Sequence, residues 1–438
     1  MRDKTKVIVW EASDLPADWF KRAKTTEEKD SAEVEKTVRD IVANVKKQGD
    51  AAIIEYVERF DKTKLTQKAL RVTKEEVEAA YTAVKEEQIA ALRFTKERLE
   101  AREKQIIQQE IKHQLSTAQE GIAVKTVLRP LESVGCYVPG GLASYPSSVI
   151  MTATPAKVAG VPRVVVCSPV KEEKSLDQLV LVAADICGVD EIYKVGGAQA
   201  IAALAYGTET MRKVRKIVGP GNKYVMMAKM LVSQDVAIDM PAGPSEVLVL
   251  ADETADPKSI AADMISQAEH TPDSTSGLIT TSEKLVWEVQ RWLEEMTAQS
   301  NRQEIVTKSL ETYGFVIKCK TLQEMTDLAN TFAPEHLEIM ARKPQGIADK
   351  ITTAGLILIG PYTPVALSDY ASGTNHVLPT GGFGASFSEL SVLDFVRRVN
   401  IVESTKEGLQ KAKSSIRVLA EAERLPNHCK AVEARFET

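Results

Sequence analysis

Apolar and polar residues follow two different patterns along this chain of 438 residues. From about Ser31 to Gln119, apolar residues recur at close to helical spacing among many charges, which predicts surface helices packed on a core. Thr73 followed by Glu76 forms a capping box that predicts the start of one such helix. A partner-binding coiled coil is the alternative, but the heptad pattern is not sustained.

From Thr126 the pattern changes to short apolar runs that alternate with helical stretches across glycine turns. Runs such as ESVGCYV, RVVVCSP and SEVLVLAD predict buried strands, and the stretches between them predict helices. This alternation is typical of a parallel, doubly wound α/β sheet. Such sheets bind ligands at the carboxyl ends of their strands, so we expect the turns at Gly140–Gly141, Gly196–Gly197 and Gly219–Gly221 to line one cleft.

None of these turns carries the full dinucleotide motif, because Tyr224 stands where the third glycine of GxGxxG would be. A second α/β stretch has predicted strands at SGLITT, TYGFVIKC and AGLILIG, and a long tail helix is predicted to end before Pro426. The predicted organisation is an N-terminal arm (1–30), a first α/β domain with the charged helices (31–132 plus 246–380), a second α/β domain (133–245) and a C-terminal tail (381–438).

Composition and charge narrow the class of protein. The chain is 44% hydrophobic and 27% charged, as expected of a globular protein with large cores. A formal net charge of -5 gives no electrostatic reason to expect a nucleic-acid partner, and no apolar run is long enough to predict a membrane span. The first residues lack the pattern of a signal peptide. Five cysteines without CxxC spacing predict reduced thiols and a cytoplasmic location.

Two of the five histidines lie in or beside predicted helices. His113 lies among charged residues and is expected at the surface. His270 follows a helix predicted to start at Asp256–Pro257, and Gln267 lies three residues earlier on the same face. An amide oxygen and an imidazole on one face can bind a divalent cation, although a buried polar helix end is the alternative.

A third histidine, His336, belongs to the stretch APEHLE. Pro334 followed by good helix formers predicts a helix start, where Glu335 would favour the positive end of the helix dipole. The same dipole would keep the His336 imidazole neutral and able to accept a proton. The pair can therefore be a proton shuttle, a ligand set or only the first turn of a helix.

The last two histidines follow helical segments. His376 lies in a loop rich in Ser, Gly, Thr and Asn, seven residues after Asp369, and functional groups concentrate on such loops. His428 lies just past the predicted tail helix, with Glu423 five residues before it. Considered alone, His428 is expected to be a surface residue.

Seven motifs, GCYVPGG, VGGAQAIAALAYGT, GPGNKYV, DMPAGPSEVLV, SQAEHTPDS, APEHLE and SDYASGTNHVLPTGG, together resemble the histidinol dehydrogenase family over nearly the whole chain from about residue 30. The resemblance implies two Rossmann-like, doubly wound parallel-sheet domains of the aldehyde-dehydrogenase-like type, with incomplete Rossmann motifs. It also implies a helical N-terminal arm, a C-terminal tail, and binding of NAD by the domain of residues 133–245.

The resemblance further implies oxidation of L-histidinol through L-histidinal to L-histidine, the last steps of histidine biosynthesis, with two NAD and one water. His336 would be the general base, and Glu335 would activate the water. One zinc ion per subunit would be held by Gln267, His270, Asp369 and His428. The implied substrate contacts are Ser245, Gln267, His270, His336, Asp369, His376, Glu423 and His428, and the implied NAD contacts are Tyr137, Gln199 and Asn222. A homodimer is implied, in which Glu423 and His428 reach the site of the partner.

Alternatives remain open at this point. Cysteine is a common nucleophile in aldehyde oxidation, but Cys136 has no histidine near it in sequence and is interpreted as a packing residue. A related zinc- and NAD-dependent dehydrogenase of another amino or hydroxy alcohol is the main alternative function. A zinc hydrolase that uses Glu335 without NAD, or a binding module that uses the helices of residues 74–115, would be a function of a different class.

Overall fold

The computed structural model describes residues 7–16, 19, 28–112, 116–140, 144–171, 175–240 and 243–437. His113 and Gly141 lie outside the described residues, so the predictions for these two positions stay predictions. Within the described residues the strands are β1 (Ile8–Glu11), β2 (Ser116–Gln119), β3 (Ile122–Pro130), β4 (Val134–Tyr137), β5 (Val164–Ser168), β6 (Glu191–Lys194), β7 (Lys216–Val218), β8 (Ala237–Ile238), β9 (Glu246–Ala251), β10 (Thr275–Thr280), β11 (Phe315–Lys318), β12 (His336–Met340), β13 (Leu356–Ile359) and β14 (Val396–Ser404).

The α-helices of the described residues alternate with these strands after β3, as the sequence pattern predicts. They are α1 (Glu28–Gln48), α2 (Asp50–Asp61), α3 (Lys74–Ala83), α4 (Glu86–Lys112), α5 (Pro146–Val158), α6 (Gln178–Ile186), α7 (Gly197–Tyr206), α8 (Lys223–Val232), α9 (Pro257–Ala268), α10 (Glu283–Thr297), α11 (Gln303–Tyr313), α12 (Leu322–Phe332), α13 (Pro344–Ala348), α14 (Val365–Tyr370), α15 (Lys406–Ala422) and α16 (Pro426–Glu433). No helix in this part of the chain is both long and apolar enough to cross a membrane.

Two parallel sheets form the body of the molecule, which confirms the predicted fold class. One has the strand order β6-β5-β4-β7-β8, and the other has the order β1-β11-β10-β9-β12-β13. Their strands read as near-continuous apolar runs because apolar layers cover both faces. On β9, for example, Val247 and Val249 face one apolar layer while Leu248 and Leu250 face the other.

The helices of the first hundred residues pack differently from the predicted grouping. That grouping assigned them to the domain of residues 246–380, but Val38 and Ile53 share a core with Ile201 of the five-stranded sheet's helices, and Leu99 shares the other core with Val149. The helical pattern shows that these helices have a buried face, but it does not identify the surface that the face covers. The domain boundaries otherwise remain a prediction.

The two ends of the chain also attach to sheets. In the predicted N-terminal arm, residues 8–11 form β1, which pairs in parallel with β11 at the edge of the six-stranded sheet. Near the other end, β14 pairs along nine residues with β3 in a three-stranded antiparallel sheet. The tail helices α15 and α16 follow β14, and only Gly408 and Ala420 of α15 are buried. The tail is thus fixed at β14 while its helices remain largely exposed.

Candidate active site

The pair Glu335–His336 lies where α12 passes into β12, and the predicted helix start at this position is wrong. Helix α12 ends at Phe332, Ala333 adopts a left-handed conformation with a φ of 51°, and Pro334 follows. His336 is the first residue of β12, which lies between β9 and β13. The run HLEIM is short, and a short apolar run cannot be assigned to helix or strand by periodicity alone.

His336 is 4% exposed, and its ring is fixed by the neighbouring strand. Its Nδ1 lies 3.1 Å from the backbone carbonyl oxygen of Glu246, the first residue of β9. Because a carbonyl oxygen only accepts, Nδ1 carries the hydrogen and Nε2 keeps its lone pair. Among the described residues, Nε2 has no hydrogen-bond partner. This ring can accept a proton at Nε2 from a molecule that enters the site.

The His336 imidazole is neutral for a reason other than the predicted helix dipole. Burial, with a smaller effect of charge repulsion from His376 and His270, lowers its pKa to about 4. The His376 side chain is 14% exposed. Burial lowers the pKa of His376 to about 4 as well.

Glu335 is 5% exposed and forms reciprocal bonds with Glu246. Its Oε2 accepts from the backbone N–H of Glu246 at 2.7 Å, and its own N–H donates to Glu246 Oε2 at 3.3 Å. The same Oε2 lies 3.6 Å from His336 Nδ1. Burial raises the pKa of Glu335 well above its ordinary value, which makes the carboxylate a stronger proton acceptor.

Asp369 and Gln267 lie on two helices that contact each other, α14 and α9. The Asp369 carboxyl lies 3.8 Å from His376 Nδ1, and burial raises the pKa of Asp369 to about 7. Helix α9 begins as predicted, because Asp256 accepts from Ser259 N–H and Pro257 is the first helical residue. Gln267 is 2% exposed, and neither its Oε1 nor its Nε2 has a partner in the described part of the chain.

These features fit a cation. A buried amide oxygen without a donor, a buried carboxyl group whose ionisation is costly and a neutral histidine would all be stabilised by a divalent ion. Burial lowers the pKa of His270, which favours the uncharged ring that a metal needs. Yet among the described residues no group of three or more His, Cys, Asp or Glu side chains is close enough to hold a metal. The predicted ligands His270, Asp369 and His428 therefore do not form such a group within the described part of the chain.

The missing predicted ligand, His428, and the predicted substrate contact Glu423 are both exposed on the tail. Glu423 ends α15, and His428 lies in the first turn of α16 rather than in a loop after the helix. No hydrogen bond or ion pair found in the described residues joins either side chain to Glu335, His336 or Asp369. Ser245, half-buried before β9, accepts from Thr275 N–H through its backbone oxygen at 3.0 Å.

The predicted NAD contacts lie at the carboxyl ends of strands in the five-stranded sheet. Tyr137 ends β4, and its hydroxyl accepts from the N–H of Gly197 at 3.1 Å. Gln199 is buried in the first turn of α7, and its side chain lies against Gly197. Asn222 caps α8 by accepting from the N–H groups of Tyr224 and Val225.

The glycine turns around these residues lie close together, as expected. A Cβ on Gly140 or on Gly196 would meet Pro169 at 2.6 and 2.5 Å, and a Cβ on Gly219 would meet the carbonyl oxygen of Tyr137 at 2.2 Å. Gly219 has a φ of 117°, so its turn also requires glycine.

Cys136 faces the interior, and burial raises the pKa of its thiol to about 12. An inert thiol agrees with the packing interpretation.

Sequence reasoning missed Glu246 and the position of the site on its sheet. The pair Glu335–His336 lies at the amino ends of β9 and β12, and the chain enters β9 from the five-stranded sheet. Glu246 contacts Glu335 and His336 and also accepts from Gly381 N–H at 3.0 Å. The signal available was an acidic residue that opens the apolar run EVLVLA.

Comparisons with known proteins agree on one family. The family model for histidinol dehydrogenase matches residues 24–436. A histidinol dehydrogenase of Clostridium acetobutylicum is 45% identical over 418 residues, which is 95% of this chain and 96% of that protein. One of Geobacter metallireducens is 47% identical over 410 residues, or 93% of each chain. The crystal structure of histidinol dehydrogenase from Elizabethkingia anophelis covers 100% of this chain and 99% of that one, with a TM-score of 0.91 and 34% identity. This chain therefore belongs to the histidinol dehydrogenase family of oxidoreductases.

Proposed function

We propose that this enzyme oxidises L-histidinol through L-histidinal to L-histidine, with two NAD and one water, as the last steps of histidine biosynthesis. The observation that carries the proposal is the buried pair at the start of β12. The bond of His336 Nδ1 to the Glu246 carbonyl leaves Nε2 as a proton acceptor, and the Glu335 carboxyl lies beside it. Family membership supplies the substrate.

The pair divides the proton transfers of two successive oxidations. His336 takes the hydroxyl proton at Nε2 while a hydride leaves the substrate carbon for NAD. Glu335, whose pKa is raised by burial, takes a proton from the water that adds to the aldehyde. The hydrated aldehyde then loses a second hydride and a second proton. As a positioned base, each group is expected to raise the reaction rate about 10²–10⁴-fold.

One zinc ion per subunit would be held by Gln267, His270, Asp369 and by His428 of the partner subunit. When bound, the ion supplies Lewis-acid polarisation and orients the substrate, with no change in its own oxidation state. The unpartnered Gln267 amide and the costly buried charge of Asp369 support these assignments. The contacts with the rest of the substrate are proposed for Ser245, His376 and Glu423, and those with NAD for Tyr137, Gln199 and Asn222.

We also propose a homodimer with shared sites, and features of the tail support it. Large apolar side chains are exposed on β14, on α15 and just before α16, at Ile401, Val402, Val418, Leu419 and Leu425. An apolar surface of this kind is typical of a protein–protein interface. A second copy that covers it would bring the exposed His428 and Glu423 to a site that lacks them. We also propose a cytoplasmic location, in agreement with five cysteines that are all free thiols.

The overall proposal is tested by the stoichiometry of the reaction. Purified, zinc-loaded enzyme incubated with L-histidinol and excess NAD should form about two NADH per histidine released, since each oxidation transfers one hydride. A panel of other amino and hydroxy alcohols, compared by kcat/KM, separates this substrate from those of a related dehydrogenase. A better substrate in the panel would contradict the assignment of histidinol, and NADH-free turnover would contradict the dehydrogenase chemistry.

Replacing Glu335 with glutamine should slow the oxidation of histidinal more than that of histidinol. Only the aldehyde step consumes water, and an amide cannot take the proton of that water. The expected loss is about 10²-fold or more for histidinal, and several-fold for histidinol. Single-turnover NADH formation, started separately from each substrate, measures both steps. Equal losses in the two steps would argue against the separate roles of Glu335 and His336.

Two inactive variants should complement each other if the tail acts between subunits. In a mixed dimer of Asp369→Ala and His428→Ala chains, one site carries both substitutions and the other carries neither. Random mixing should restore about a quarter of the wild-type activity in a symmetric dimer. Co-expression with two affinity tags allows the mixed dimer to be isolated and assayed. If His428 served its own chain, every site would carry one substitution and the mixture would stay inactive.

A further inference from the structure

A buried carboxyl group, Glu338, lies in the middle of β12 without a cationic partner in the described residues. It is 1% exposed and lies on the face opposite Leu337 and Ile339, which pack into one apolar layer. Met340, two residues on, belongs to the other apolar layer. An ionisable group inside such a layer costs free energy unless it is bonded on several sides.

Glu338 contacts two helices at once. Its Oε1 accepts from the N–H of Val365, the first residue of α14, at 2.8 Å. Its carboxyl group also lies beside that of Asp263 on α9, and each influences the pKa of the other. Glu338 Oε2 has no hydrogen-bond partner among the described residues. One side chain of the sheet therefore contacts both helices.

Two buried carboxyl groups this close can form a hydrogen bond only if they share a proton. Burial raises the pKa of Glu338 well above its ordinary value, and it raises the pKa of Asp263 as well. The neighbouring charge of Asp263 raises the pKa of Glu338 further. The pair then carries at most one negative charge, which reduces the cost of burying it.

Glu338, Val365 and Asp263 form a junction between β12, α14 and α9. Each of the three lies on the same face of its strand or helix as a residue of the candidate active site. Glu338 is two residues from His336 and therefore points to the same face of β12. Val365 is four residues from Asp369 along α14, and Asp263 is four residues from Gln267 along α9. Residues four apart lie on the same face of a helix. The junction thus fixes three elements just beside the places where they carry functional groups.

We propose that Glu338 is a positioning residue that sets the separation of Gln267, Asp369 and His336 through its hydrogen bond to Val365 and its contact with Asp263. This inference rests on the zinc set proposed above. It deepens that proposal, because it assigns the geometry of the ligand set to a residue that does not bind the metal. Interactions that orient metal ligands typically contribute 10–100-fold to affinity.

The test compares two substitutions at Glu338 in the full-length dimer. Glu338→Gln keeps an oxygen for Val365 N–H and supplies an N–H for Asp263, so zinc affinity should stay within about threefold of wild type. Glu338→Leu has a similar volume but loses both contacts, and zinc affinity should fall about 10–100-fold. Competition with a chromophoric chelator measures both affinities. The kcat/KM of Glu338→Leu should remain low even at saturating zinc, because His336 is also displaced.

A matched control is Ser276→Ala in β10. Ser276 Oγ donates to the carbonyl oxygen of Met264 at 2.8 Å, so it also bonds α9 to the sheet, but it does not touch α14. This variant should lose about 1 kcal/mol of stability and keep its zinc affinity. If Glu338→Leu does not fold, Asp263→Ala removes the other carboxyl from a half-buried position and should weaken zinc binding about tenfold.

The outcomes separate this inference from the proposed function. Wild-type zinc affinity in both Glu338→Leu and Asp263→Ala would overturn the positioning role and leave the zinc assignment intact. Failure of the wild type to bind zinc would overturn both. A loss in Glu338→Leu that Glu338→Gln shares would also contradict the inference, because the glutamine retains both contacts.

Discussion

Asparagine at position 336 is expected to lower kcat for histidinol by about 10²–10⁴-fold while the zinc content stays unchanged. The asparagine amide can still donate to the Glu246 carbonyl in place of Nδ1, but it has no atom at the position of Nε2. The loss of kcat should therefore be caused by the missing proton acceptor and not by a disturbed strand. Single-turnover NADH formation together with zinc analysis measures the two quantities.

A second measurement distinguishes loss of the base from loss of the fold. The thermal midpoint of His336→Asn should lie near that of the wild type, because the bond between β12 and β9 is kept. A variant that retains more than a tenth of the wild-type kcat would remove His336 from proton transfer. An equally large loss accompanied by loss of zinc would instead give the residue a structural role.

Changing Asp369 to asparagine is expected to abolish tight zinc binding and to lower kcat/KM by about 10³-fold, since metal polarisation is worth several kcal/mol. The substitution conserves size but removes the negative charge. Bound zinc, measured after dialysis, and NADH formation from histidinol should be lost together. Full activity in a zinc-free variant would contradict the metal assignment.

For the same variant we also expect a change in stability, and its dependence on pH is opposite to that usual for a carboxyl group. Burial raises the pKa of Asp369 to about 7, whereas the unfolded chain titrates near 3.8. Between these values the folded state binds more protons, so the stability contributed by this group falls as pH rises, and the full cost is present above pH 7. Metal-free Asp369→Asn should thus unfold at a higher temperature than metal-free wild type at pH 8. The difference should shrink toward pH 4, and a difference independent of pH would show that the Asp369 charge is not the cause.

Local patterns predicted most of the fold because local physics determines it. The capping box of Thr73 and Glu76, the start of α9 at Pro257 and the buried strands are each decided by a few neighbouring residues. The start of β12 was mistaken for a helix because Pro334 and HLEIM fit both patterns. The strand forms because it pairs with its two neighbours β9 and β13, which lie about 90 and 20 residues away in sequence.

The site shows the same limit. Motifs predicted Glu335, His336 and Asp369 as site residues, but Glu246 contacts the pair partly through its backbone N–H and carbonyl, which no side-chain pattern reveals. Glu338 was visible as a charge inside an apolar run, yet its role depends on Asp263 and Val365, which only the fold brings to it. Long-range contacts between polar groups were the information that the sequence could not supply.

The segment after α14, residues 371–380, links the candidate site to both parallel sheets. Asn375 is fully buried, and its Nδ2 donates to the carbonyl oxygen of Met151 in α5 at 2.7 Å. At the end of the segment, Thr380 Oγ1 accepts from Gly243 N–H in the connection to β9. His376 lies between these two anchors, so a ligand held by its ring also opposes separation of the sheets. We therefore expect substrate affinity and resistance to unfolding to be linked, so that a saturating ligand raises the melting temperature by holding the two sheets together.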